Sequence, residues 1–150
     1  MRGHGVKALR RGACLLLCCC ALSSCGTTVG RVPFSREGDG QIVVQLVRGE
    51  LQFWTEFDAQ YRGEMNAGFA VDLLQNGKLV GTATCDPLHL GMSRVCSKRI
   101  LVGETHTVHC RMACVVHVAQ PGPTLVRARF SIPERPADLR LEQADLILKQ

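Results

Sequence analysis

The dipeptide Asn76-Gly77 separates two runs, residues 69–74 (FAVDLL) and 79–84 (LVGTAT), the first of which places Phe69, Val71 and Leu73 at every second position. A period of two is that of a strand with one face buried. Asn-Gly accepts the positive φ angles of a two-residue type I′ turn. The pair therefore reads as a hairpin, with Phe69, Val71 and Leu73 sharing a face with Val80, Thr82 and Thr84.

Two more hairpins follow from the same register logic. Residues 41–48 and 51–58 flank Gly49-Glu50, which suits a type II′ turn. That turn sets Leu46 against Phe53, Val44 against Thr55 and Ile42 against Phe57, while Gln45 faces Trp54. Residues 110–119 and 125–132 flank Gln120-Pro-Gly-Pro-Thr124, which pairs Val118 with Val126, Val116 with Ala128, and Cys114 with Phe130. His117, Arg127 and Arg129 fall on the opposite face. The final segment, 139–149 (LRLEQADLILK), has Leu139/Leu141 and Leu146/Leu148 in alternation with an interruption between them. Pro136 could open a helix there, but the alternation favours a closing strand. Seven or so short strands with regular turn signals indicate an all-β fold: an antiparallel β-sandwich, immunoglobulin-like in architecture. The Trp-between-two-Cys spacing of true immunoglobulin domains is missing, so the likeness is one of architecture.

The first 25 residues read as an address. Arg2, Lys7, Arg10 and Arg11 precede an apolar run, 13–22, of about ten residues, half the length a membrane-spanning helix needs. Leu22-Ser23-Ser24-Cys25 follows. This order resembles the lipobox of bacterial lipoprotein precursors. The resemblance implies a signal peptide over 1–24, cleavage before Cys25, and lipid on the Cys25 thiol and amine. Gly26, not Asp, follows the cysteine, which on the same resemblance implies the outer membrane rather than retention at the inner one. Residues 25–40 are rich in Gly, Thr, Ser and charge and read as a lipidated cysteine with a flexible tether. The sandwich is expected over 41–150, long enough for one core.

Removing residues 1–24 changes the charge argument. They hold four of the 18 Lys and Arg and none of the 13 Asp and Glu. The 14 basic residues that remain nearly balance the 13 acidic ones, so a nucleic-acid partner is not expected. Cysteines divide the same way. Four lie in the signal segment and Cys25 takes lipid, leaving Cys85, Cys96, Cys110 and Cys114. An even number in an exported domain reads as two disulfides. A turn centred on Gly103 would put Cys96 across from Cys110 and leave Cys85 with Cys114. The competing pairing joins Cys85 to Cys96 and Cys110 to Cys114, and needs a local turn, since four strand residues span ~13 Å.

Candidate chemistry is thin. His106, His109, Cys110, Cys114 and His117 crowd one segment, but in a strand the cysteines and His109/His117 face opposite ways. Eight strand residues also separate the two histidines by ~26 Å. No metal or other cofactor is expected. Glu56 and Asp58 read as a solvated strand face, and the serines lack a nucleophile-elbow context; no enzymatic activity is expected. Two places could bind a partner. Trp54 lies on the polar face of its strand unless another strand or segment 139–149 covers it. The loop 86–95 offers Leu88, His89 and Met92 between cysteines; the alternative is that its apolar residues close one end of the sandwich. The expectation is a membrane-anchored, non-enzymatic adaptor in the envelope, held by acyl chains and meeting a protein partner. The alternative is a small inhibitor or ligand-binding lipoprotein that presents a loop to an enzyme, glycan or metal.

Overall fold

The computed structural model describes residues 26–88, 94–101 and 105–150, with the backbone alone described from 94 to 113. The described residues form nine strands: β1 (Thr28–Phe34), β2 (Gly38–Leu46), β3 (Gly49–Arg62), β4 (Asn66–Gln75), β5 (Lys78–Cys85), β6 (Arg94–Leu101), β7 (Thr105–Val118), β8 (Gly122–Glu134) and β9 (Ala137–Lys149). They make two antiparallel sheets, β1-β9-β3-β7-β6 and β2-β8-β4-β5. The fold is the expected antiparallel β-sandwich.

Alternation decides which side chains lie between the sheets. Along β3, Leu51, Phe53, Thr55, Phe57, Ala59 and Tyr61 are buried, while Gln52, Trp54, Glu56 and Asp58 lie on the outer face. Facing them across the core are Val44 and Leu46 of β2, Val126, Ala128 and Phe130 of β8, and Phe69, Val71 and Leu73 of β4. Phe69 and Phe130 stack at 4.9 Å between ring centroids, and Phe34 and Phe57 close on the same ring from 5.9 and 6.1 Å.

Which strands are neighbours differs from the sequence reading in two places. β2 does not pair with β3, nor β7 with β8; each turn carries the chain from one sheet to the other. In a sandwich an apolar face points at the same core whether two strands lie side by side or opposite, so alternation fixes the face and not the sheet. Gln45 accordingly lies on the other sheet from Trp54, and Arg127 and Arg129 on the other sheet from the backbone of Arg111.

The β4–β5 hairpin forms as expected, with Asn76 at φ 50° and Gly77 at φ 76°. Its inner face differs. Leu74 pairs with Leu79 but Leu73 with Gly81, so Val80 is bulged and everything beyond it is inverted. Gly81, Ala83 and Cys85 turn inward, whereas Val80, Thr82 and Thr84 face out. A bulge also explains β9. Asp58 opposes Gln143 and Ala59 opposes Leu141, so Glu142 is the extra residue that switches the alternation between the two leucine pairs. The closing strand is real, and it pairs with both β3 and β1.

The stretch expected as a tether is instead part of the sandwich. β1 pairs with β9 from Thr28 to Phe34 and buries Val32 and Phe34, and β2 starts at Gly38. Glycines that read as flexibility serve close approach: a Cβ on Gly40 would lie 2.5 Å from Val32 Cγ1 and 3.0 Å from Phe34 Cζ. The described strands therefore already include Thr28–Phe34, ahead of the expected start at 41.

Candidate functional site

The outer face of the five-stranded sheet, where β1, β9 and β3 run side by side, holds the densest polar cluster among the described residues. Register sets Glu56 beside Asp145, and Arg31 across from Ile147 one row away. Arg31 Nε donates to Asp145 Oδ2 at 3.0 Å, its Nη2 binds the same oxygen, and Nη2 lies 3.5 Å from Glu56 Oε2. Gln143 Nε2 donates to Asp145 at 2.8 Å and to Glu56 at 3.3 Å. Asp145 is buried on what is nominally the solvent face, because these side chains cover it. The hydrogen bond and charge of Asp145 raise the Arg31 pKa further above its usual value. Each of the two carboxylates takes a contact from the same guanidinium and from the same amide through one oxygen. Such a cluster ties three strands together rather than presenting an acid and a base.

Trp54 adjoins this cluster, opposite Ile147 of β9 and Ala113 of β7. Its indole N–H donates to Gln52 Oε1 at 3.0 Å, and Lys149 Nζ stands 4.5 Å above the ring centroid. The C-terminal strand thus covers part of the ring, and the residue is half-buried. A cation over an indole face contributes ~0.5–1 kcal/mol at such an exposed site. The ring is thus held by a hydrogen bond at its N–H and a cation on its face, and stays partly exposed. Val115, exposed on β7, borders the same patch through its register with Gln52.

One bridge of the first pairing considered is present. Cys85 and Cys114 are bridged, with Cα atoms 5.7 Å apart, joining the edge strand β5 to β7 of the opposite sheet. Cys96 stands directly across from Cys110 in the β6–β7 register. β7 runs unbroken from Thr105 to Val118, so His109 and His117 remain eight strand positions apart.

Of the loop 86–95, residues 86–88 and the start of β6 are described. Asp86 Oδ1 accepts the Leu88 N–H at 2.8 Å in a local turn, Pro87 is buried, and Leu88 packs against the core. At Leu88 the loop behaves as cover for the sandwich. His89 and Met92 lie outside the described residues, as does Cys25.

Two clefts complete the surface. One of about 440 Å³ lies where Tyr61 and Arg62 leave β3 beside Asp138 and Arg140. Burial pushes the Tyr61 phenol above its usual pKa. The other, about 230 Å³, opens at the opposite end between Leu46, Leu73, Val80 and Val118. Sequence reasoning singled out Trp54 but missed the Arg31–Asp145–Glu56 cluster, because Arg31 had been placed in the tether. No family model matches the chain, and no curated protein matches it at a significant level.

Proposed function

We propose that the chain is a bacterial envelope lipoprotein, cut before Cys25 and held at the outer membrane by N-terminal acyl chains. Its sandwich acts as a non-enzymatic adaptor in a larger envelope assembly. The observation that supports the reading is how close the described strands come to Cys25. The Thr27 N–H donates to the Gln150 carbonyl and the Gln150 N–H to that of Thr27, both at 2.9 Å. The described sandwich therefore reaches to within two residues of Cys25, and its strands are tied together up to that point. The adaptor role is supported by Trp54, a partly exposed aromatic on the outer face of a sheet, the kind of residue that anchors protein partners.

Affinity capture from detergent-solubilised envelopes tests this with wild type and Trp54→Ala. The expected result is co-purification of membrane-assembly subunits with wild type and their loss with the variant, while both proteins stay in the membrane fraction. Capture of one soluble enzyme instead, or turnover by the purified protein, would overturn the adaptor role.

A further inference from the structure

We infer that the sandwich rests end-on against the phospholipid surface, through the end that carries Thr27, the β2–β3 loop and the β4–β5 turn. The inference builds on the lipoprotein reading and adds an orientation and a lipid-contacting surface to it.

Three observations converge on that end. The first is reach. Thr27 is fixed to Gln150, and the Gln150 side chain holds the β2–β3 loop by donating to Val47 O at 2.7 Å and accepting from Val47 N at 2.9 Å. Two extended residues span only ~7 Å. A lipid on Cys25 therefore brings this end to the headgroups, with no tether to hold it away.

The second is apolar exposure. Val43, Val47, Leu79, Val80 and Val115 are the exposed large hydrophobics among the described residues, at 49–67% of their full accessibility. Val47 is in the β2–β3 loop, and Leu79 and Val80 open β5. Val43 and Val115 lie three residues from the ends of β2 and β7, about 10 Å up the flanks. These residues occupy a loop and the outer faces of both sheets. A protein docked on one sheet face would cover Val43 and Leu79 but leave Val47 and Val115 in water. Immersing the end to the ~5–10 Å depth of interfacial elements brings the loop and the turn among the headgroups and the flank valines to their boundary.

The third is charge. Arg48 and Lys78 stand at this end against Glu50, and Lys149 lies close by with its ammonium over the Trp54 ring. At the other end, in and beside the turns between β1 and β2, β3 and β4, and β8 and β9, Arg36, Arg62, Arg135 and Arg140 are balanced by Glu37, Glu64, Glu134 and Asp138. Anionic headgroups therefore favour the end that the acyl chains already bring to them.

The test uses the full lipidated protein in vesicles of phosphatidylethanolamine and phosphatidylglycerol, part of the lipid carrying brominated acyl chains. In a Trp54→Phe background, one variant carries Leu79→Trp and another Glu64→Trp, both at exposed positions. A strand-rich spectrum and an intact Cys85–Cys114 bridge confirm folding. The expected result is strong quenching and a blue shift for Leu79→Trp and neither for Glu64→Trp. Acylated protein with both tryptophans unquenched, or with Glu64→Trp quenched as strongly, overturns the inference and leaves the lipoprotein reading standing. Protein whose mass shows no acyl chains overturns both.

Discussion

Thr55 occupies a core position of β3 with its hydroxyl buried and, among the described residues, without a hydrogen-bond partner. An unsatisfied buried hydroxyl is costly, and valine has nearly the same shape. Thr55→Val should raise stability by about 1 kcal/mol, read as a higher denaturation midpoint at unchanged m; a lower midpoint would mean that the hydroxyl has a partner. Asp145 is the opposite case, a buried carboxylate held by Arg31 and Gln143. Asp145→Ala should cost roughly 1–3 kcal/mol, much as other buried charge-assisted hydrogen bonds do. Asp39, by contrast, pairs with Arg129 at 2.6 Å on the exposed face of the other sheet. The Arg129 hydrogen bond holds the Asp39 pKa below the usual carboxylate value. A carboxylate depressed in this way stabilises the fold above its unfolded pKa, and the contribution vanishes as pH falls through the folded one. Asp39→Asn should therefore lower the melting temperature slightly at pH 7 and leave it unchanged near pH 2; an equal loss at both would exclude the charge as its source.

β1 is the element whose role was hardest to read. Its run, TVGRVPF, contains only seven residues, a glycine and a proline, and the glycines of the next strand suggest a linker. One of them, Gly40, proves to be a condition for packing. Gly40→Ala would force its new methyl into Val32 and Phe34, costing ~1–3 kcal/mol by overpacking. Val32→Ala in the same chain should recover part of that loss, whereas strict additivity would show that the two positions do not touch. Faces were legible in β2, β3, β4 and β8, where alternation runs unbroken and reports burial directly. Neighbours were legible only in β4–β5, where Asn76-Gly77 forces the chain back on itself, and in β6–β7, where Cys96 and Cys110 oppose each other as spacing about Gly103 suggested. Val47-Arg48 and 119–121 carry no such instruction, and the chain crosses between sheets there. Single-residue bulges at Val80 and Glu142 invert a face without any composition signal.

Across the whole molecule, the Cys85–Cys114 bridge closes a 29-residue separation and joins the two sheets. Loop-closure entropy gives such a bridge roughly 3–4 kcal/mol, a large part of the ~5–15 kcal/mol net stability of a domain. Reduction should lower the melting temperature by well over ten degrees, since 1 kcal/mol is worth about 4 °C at this size; an unchanged temperature after confirmed reduction would leave the bridge without a stabilising role. Trp54 stood out in the sequence because an aromatic on a polar strand face breaks the alternation. The cluster beside it was not, since Arg31, Glu56 and Asp145 are joined by strands distant in sequence. An anchored adaptor needs both a face to offer and a lipid to hold it, and the lipid is the claim on which the account turns. Intact-mass spectrometry of the protein extracted from membranes measures it directly. The account predicts a chain beginning at Cys25 and heavier than its sequence by the mass of a diacylglyceryl group, with or without an N-acyl chain. A chain that retains residues 1–24, or one that begins at or after Cys25 without lipid, would contradict it.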